Sequence, residues 1–595
     1  MLRALVLSGG IAVAITETLS PLHWLRREPL ALAWTLVTTM AAVWLWWRRK
    51  RLPGLSIGPI EAAIGLAIAA IAGLVGTAAT LSPPNSADAM AYHMPRVVYW
   101  AQAGSVAFFP TPYFNQISLQ PLAEYLMLQT YVLSGGDHFI NLIAFGAFLG
   151  SIVGVSALAG RLGLGSRGQA YAALFCATLP NGILQASGAK NDSLVGLWLV
   201  CLVYFTLRRN APFAGMALGL ALATKATAYL FAPPMVAAAM LCGPQDWRLW
   251  PPRAMLRMAG CLAGGALIIN APQYLRNLQL SGLPLGYDSA QGDGALRWPN
   301  DHPGWQSTVS NALRHASEQL GARSPGWNQA VFHSVVRVEG WMGIDPQDLA
   351  NTFRGAVYAP PRNARNHEAD ANNRWHLLLL AVALAFAAAT RRSLWVMYGV
   401  GLVAAFLLFC FYLKWQPFMA RMELPLFVMG APLAACLLEA LRPNIVTIGL
   451  CLLLVNNTRA ALFDNWTRPL EGPRSVFVTS RQDAYFADMT QWDNRASYLA
   501  AVEVTARSGC RTVGIDISRN QLEYPFQALL RLRDPQVQFE HVGVENASAR
   551  YYPAKAEQPC VVFCPDCAGW ADKVARYGST GETIAIGHFL LFVRR

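Results

Sequence analysis

Apolar runs of bilayer length, separated by short arginine-rich loops, fill this chain to about residue 458. No other feature constrains its fold as strongly. A hydrocarbon core about 30 Å thick takes about 20 apolar residues to cross as a helix, and an unpaired backbone group inside it is too costly to leave. The runs at residues 2–19, 29–47, 57–81, 139–160, 169–184, 193–207, 213–224, 226–241, 258–271, 377–390, 394–413, 424–441 and 445–455 predict about thirteen transmembrane helices. Charged residues make up 14% of the chain, against roughly 25% in an ordinary soluble domain. The first run lacks a small-residue cleavage site and is read as a retained span, not a removed signal peptide.

The basic loops give a topology. Arg48-Arg49-Lys50-Arg51 is the densest positive cluster, which assigns that loop and the N-terminus to the cytoplasm. Counting spans from there, Arg161 and Arg167, Arg208-Arg209, Arg248 to Arg257, Arg391-Arg392 and Arg442 all fall inside. The net charge of +13 is thereby explained as topology, so it does not argue for nucleic acid. Asp88, Lys190, Asp192, Lys225, Arg276, Lys414 and Arg421 fall outside or at the outer interface. Ionisable groups near membrane depth are costly and point to a functional site by default. The division expected is residues 1–56 as two N-terminal spans, 57–458 as a membrane module with outer loops 82–138 and 272–374, and 459–595 as a small extracytoplasmic α/β domain. Few charges and no targeting signal favour a bacterial inner membrane.

The first outer loop is the most informative stretch. Pro83, Pro84, Asn85 and Ser86 are helix-start signals, and they place Asp88 in a first turn, where the helix dipole favours an ionised carboxylate. Asp88, Tyr92 and Arg96 recur every four residues and so share a face of a regular helix. Two readings are open: a capping acid with an interfacial tyrosine and a snorkelling arginine, or a working carboxylate. Asn191, Asp192 and Ser193 suit a helix N-cap, but the dipole disfavours Lys190 beside them. Lys225 interrupts two apolar runs, either as a snorkelling residue in a tight hairpin or as a point charge for a phosphate. Arg276, in Pro272-Gln273-Tyr274-Leu275-Arg276-Asn277, and Arg421, after Lys414-Trp415-Gln416-Pro417, offer planar forks that suit a phosphate.

Beyond residue 459, strands are expected at 512–517, 537–544, 560–564 and 589–593, with a helix at 524–533. There is no GxGxxG and no Walker motif. Four cysteines lie here: Cys510, Cys560, Cys564 and Cys567. The Cys564-Pro565-Asp566-Cys567 element could be redox-active, half of a zinc site or a disulfide, and structural disulfides suit an oxidising compartment best.

The order of these features resembles the GT-C superfamily of integral-membrane glycosyltransferases, in the branch that includes protein O-mannosyltransferases and the lipid A aminoarabinose transferase. The elements are Asp88-Ala89-Met90-Ala91-Tyr92-His93-Met94-Pro95-Arg96, then Lys190-Asn191-Asp192-Ser193, Gly219 to Lys225, Pro272 to Asn277, and Arg421. Together they cover residues 57–440. The chain departs from the family in having two spans before residue 57 and a single acid where some members carry an Asp-Glu pair. Its C-terminal domain matches no acceptor module. The resemblance implies a donor sugar on a polyprenyl phosphate, a lipid, glycan or protein acceptor, and inverting transfer on the outer face. It implies Asp88 as general base with Asp192 beside it, and Lys190, Lys225, Arg276 and Arg421 on the donor phosphate. Tyr92, His93, Arg96 and Glu124 would lie on the acceptor side. A divalent metal, if one is used, would sit on Asp88 and Asp192. A glycan ligase or polymerase of the same superfamily is the nearest alternative. A lipid or polysaccharide transporter would show repeats and midplane charges instead.

Overall fold

The computed structural model describes residues 1–47, 58–242, 250–287, 298–489, 494–517, 521–553, 558–569, 571–579 and 581–594. The basic clusters at Arg48-Arg49-Lys50-Arg51 and at Arg248 lie outside the described residues. The apolar runs form helices: α1 (Leu2–Leu19), α2 (Arg27–Trp47) and α3 (Pro59–Leu81), followed in the segment 82–138 by α4 (Met94–Ala103) and α5 (Leu122–Ser134). The membrane helices resume with α6 (Leu142–Arg161), α7 (Ser166–Ala177), α8 (Pro180–Ala186), α9 (Asp192–Leu207), α10 (Ala211–Thr224), α11 (Ala228–Leu241) and α12 (Pro252–Ser281). After the polar segment carrying α13 (Trp305–Gln319) and α14 (Pro325–Trp341) come α15 (Arg374–Ala389), α16 (Ser393–Tyr412), α17 (Leu424–Ala440) and α18 (Ile445–Asn456). Among the described residues, 7 helical stretches are long and apolar enough to cross a membrane, with five shorter apolar helices beside them. Leu32, Leu36, Met40 and Leu45 of α2 are exposed, a face that only lipid would cover. The chain is a polytopic α-helical membrane protein with a small C-terminal α/β domain.

Three expectations need correction. Residues 169–184 are not one span: the helix ends at Ala177 and restarts at Pro180. Pro180 has no N–H to continue the ladder, and it sits at the first position of α8, where none is needed. The run at 258–271 is part of a helix of 30 residues reaching Ser281. Pro272 to Asn277 is therefore helical, and the helix ends at Ser281 rather than before residue 272. Finally, Asp88, Tyr92 and Arg96 do not follow a regular helix. Residues Ala89–His93 form a π turn, with the Met94 N–H reaching back to the Ala89 carbonyl. Pro95 explains this. It cannot donate to the Ala91 carbonyl, which instead accepts from Gln116 Nε2 at 3.1 Å. The wider turn shifts the face, and Arg96 goes elsewhere.

Backbone contact sets the position of α10. A Cβ on Gly215 would lie 1.9 Å from the Cys261 carbonyl oxygen of α12, and one on Gly265 2.0 Å from the Gly215 carbonyl oxygen. Only glycine permits that approach, the usual device for packing helices in lipid. It holds the end of α10, and so Lys225, against its neighbours.

The C-terminal domain is a five-stranded sheet in the order β2-β1-β3-β5-β4. The strands are β1 (Thr512–Ile515), β2 (Gln538–His541), β3 (Val561–Cys564), β4 (Gly581–Ile586) and β5 (Phe589–Arg594). Strand β1 runs parallel to β2 and β3, whereas β5 is antiparallel to β3 and β4. The helix Tyr524–Arg533 falls where the sequence placed it. Strand β4 alternates exposed and half-buried residues and was not legible in the sequence. Disulfides join Cys510 to Cys560 and Cys564 to Cys567. This domain is seated on the segment between α3 and α6. Asp137 accepts from Arg481 and Tyr485 at 2.6 Å each and from Tyr524 at 2.9 Å, and Tyr99 donates to Glu523 at 2.5 Å.

Candidate active site

The segment after α3 brings Asp88 to the end of the bundle where α8 stops, α9 starts, α10 stops and α17 starts. Each junction delivers one charge. Lys190 lies in the loop between α8 and α9, and Asp192 opens α9. Lys225 is extended between α10 and α11, with φ −160° and ψ 139°, so its side chain leaves the helix pair. Arg421 stands in the turn before α17.

These groups meet. Arg421 Nη1 donates to Asp88 Oδ2. The Lys190 ammonium lies 3.6 Å from the same carboxylate oxygen and 2.6 Å from Glu368 Oε1. Lys225 donates to Asp192 Oδ1 at 2.5 Å. Tyr92 lies close enough to Asp88 for the carboxylate's charge to act on its phenol. Glu368 also accepts from Arg468, whose guanidinium reaches Asn85 Oδ1 at 2.7 Å and Ser187 Oγ at 3.1 Å. Asp88, Arg421 and Lys225 keep 25%, 12% and 15% of their side chains exposed, against 4% or less for Lys190, Asp192 and Glu368. The first three therefore face the solvent, with the others behind them.

Burial alone would raise the Asp88 pKa, but Arg421, Lys190 and His93 outweigh it and hold the carboxyl well below the usual range. Glu368 is likewise driven down to about 2, burial being overcome by Lys190 and Arg468. Asp88 is thus ionised, and a weak base while Arg421 grips it.

Other expected site residues form a second network. His93 Nδ1 pairs with Glu124 Oε1 at 2.8 Å. Arg96 lies 3.6 Å from Glu124, donates to the Ile117 and Leu119 carbonyls, and stacks on Trp100. All three are buried. Arg276 is not brought to the Asp88 cluster: it holds Glu17 of α1 at 2.7 and 3.0 Å and Tyr125 at 2.6 Å. Lys414 is also structural here, pairing with Asp301 at 2.7 Å.

Glu368 and Arg468 were missed in the sequence. Glu368 lies in the polar run Asn366-His367-Glu368-Ala369-Asp370, whose length marked the loop but singled out no residue. Arg468 sits past the last span with no motif around it.

A divalent metal does not fit this donor set. Asp88 and Asp192 each already hold a cation, and an ion there would share three carboxylates with Lys190, Lys225, Arg421 and Arg468. Among the described residues, the acids and cysteines close enough to chelate an ion together are Asp516, Cys564 and Cys567, and both those sulfurs are in a disulfide.

No family model matches the chain, and no curated protein matches it. Solved structures similar to it include two of one protein. One is ArnT from Cupriavidus metallidurans bound to undecaprenyl phosphate, 15% identical, with a TM-score of 0.47. The other is the same protein in the apo state, 14% identical, with a TM-score of 0.49. Each alignment covers 89% of this chain and 97% of the other.

What the cluster can do follows from its charges. Four cations surround three carboxylates, and two of the cations, Arg421 and Lys225, face outward. An anion placed against them would find a fork and a point charge already oriented.

Proposed function

We propose that this protein is a membrane glycosyltransferase that moves a sugar from a polyprenyl phosphate to an acceptor hydroxyl, with Asp88 as general base. The observation that carries the reading is the pairing of Asp88 with Arg421, with Lys190 and Lys225 close by, at a bundle end where four separate chain segments meet. The order of motifs along the sequence supports the same reading.

The residues suggest how the reaction would proceed. The donor phosphate would accept from Arg421 and Lys225, with Lys190 behind them. Drawing Arg421 onto the phosphate loosens its hold on Asp88 and adds a negative charge nearby, so the carboxylate becomes a stronger base only when donor is bound. The acceptor hydroxyl then gives its proton to Asp88 as its oxygen attacks the anomeric carbon. The bond from that carbon to the phosphate oxygen breaks, and its electron pair leaves with the polyprenyl phosphate. Attack opposite the leaving group inverts the configuration. Arg421 and Lys225 neutralise the charge that builds on the leaving phosphate, a role worth roughly 100- to 1000-fold per donor group in comparable sites. Asp192 holds Lys225 in place, and Tyr92 orients Asp88.

The test is binding of undecaprenyl phosphate to the full chain in detergent. Wild type should bind, and Arg421→Gln should bind at least tenfold more weakly. Equal binding by both would remove Arg421 from the donor site and the proposal with it.

A further inference from the structure

A cavity of about 890 Å³ is walled by the 363–366 segment, the end of α18 and the chain just after it. Its chemistry is unlike that of a lipid groove. Arg323, Arg365 and Arg459 line it, and among the described residues none of the three pairs with a carboxylate. Burial and the neighbouring Arg374 and Arg323 lower the Arg365 pKa, so like charges crowd around Arg365. Between the arginines stand the amides of Asn363, Asn366, Asn456 and Asn457. The Oδ1 of Asn363 is buried and has no hydrogen-bond partner, an unusual state for a buried amide. Asp464 and Glu471 are also in the wall, and Asn366 donates to Asp464.

Amides, which both give and take hydrogen bonds, and carboxylates, which take them, suit the hydroxyls of a sugar, while guanidinium forks suit a phosphate or carboxylate. The cavity is also wired to the reacting groups. Two residues beyond Asn366, Glu368 holds Lys190, which lies 3.6 Å from Asp88. His367 meets Asp488 at 3.0 Å, and Asp488 accepts from the Ala87 N–H at 2.6 Å. The segment that lines the cavity thus grips the residue before Asp88.

We propose that this cavity binds a carbohydrate carrying a negative charge, a phosphate or a uronate, and delivers it to Asp88 as the acceptor. Only the word acceptor rests on the glycosyltransferase reading. The ligand chemistry rests on the cavity alone.

The experiment is equilibrium binding to the full-length protein in neutral detergent. The probes are trigalacturonic acid, its neutral galactose counterpart, glucose 6-phosphate and inorganic phosphate. The protein should bind at least one of the two acidic sugars, at least tenfold more tightly than the neutral trisaccharide or phosphate alone. Arg365→Gln and Arg459→Gln should each weaken that binding at least tenfold. Thermal unfolding of both variants checks that they fold, and Arg323→Gln, at an exposed position, serves if one does not. Binding of neither acidic sugar, equal binding of the neutral trisaccharide, or affinity unmoved in the folded variants would overturn the site. Phosphate binding as tightly as glucose 6-phosphate would overturn its carbohydrate character. Displacement of the acidic sugar by phosphatidylglycerol vesicles, but not by phosphatidylcholine, would assign the cavity to a lipid headgroup and overturn it too. Binding requires no turnover, so loss of sugar transfer in an assay would leave this site standing.

Discussion

Arg421 donates directly to the carboxylate of Asp88, although 333 residues separate them in sequence. The proposed base is therefore masked by the group proposed to hold the donor phosphate. The two functions are coupled: the arginine cannot grip both at full strength.

That coupling has a pH signature. In the free protein, Asp88 titrates well below the usual carboxylate range. The acid limb of kcat/KM, which reports the free enzyme, should lie below pH 3.8, the ordinary aspartate value. The acid limb of kcat, which reports the donor-bound complex, should lie higher by a unit or more. Rate profiles from pH 3 to 8 would decide it, and coincident limbs would contradict the unmasking.

Asp192 and Lys225 form a close pair, with Asp192 only 1% exposed. Asp192→Asn leaves the lysine without its partner in a buried setting, which costs about 3 kcal/mol. Denaturation of the purified protein should show that loss. Asp192→Leu combined with Lys225→Met should recover most of the stability yet lose donor binding, since the point charge is gone. A double-mutant cycle separates the two effects.

Glu368 ties Lys190 and Arg468 together. Its folded pKa, about 2, lies below its ordinary value of 4.5. A depressed carboxyl stabilises the fold above the unfolded pKa and loses that contribution as pH falls through the folded one. Stability should therefore fall between pH 4.5 and 2 in wild type. Glu368→Gln should start less stable at pH 7 and fall less steeply over that window. Thermal unfolding midpoints at pH 7, 4 and 3 measure both.

The membrane fold was legible because its physics is one-dimensional: a run of apolar residues must become a helix, whatever it packs against. The same holds for β1, β3 and β5, which are buried runs. What depends on three dimensions was only partly readable. Asp88, Lys190, Asp192, Lys225 and Arg421 stood out because charge at a span end is rare. Glu368 and Arg468 did not, because each sits in a polar segment where charge is ordinary. Arg276 misled because its partner, Glu17, lies in the first helix, 259 residues away. The spacing of Asp88, Tyr92 and Arg96 assumed a regular helix, and the missing N–H of Pro95 widened it.

The most direct measurement is sugar transfer from a panel of polyprenyl-phosphate sugars in membranes, comparing wild type with Asp88→Asn. Asparagine keeps the shape and removes the base. Wild type should transfer from at least one donor, and the variant should be slower by about a hundredfold or more, while still binding undecaprenyl phosphate through Arg421 and Lys225. Transfer at an undiminished rate in Asp88→Asn would contradict the central claim that this carboxylate takes the acceptor's proton.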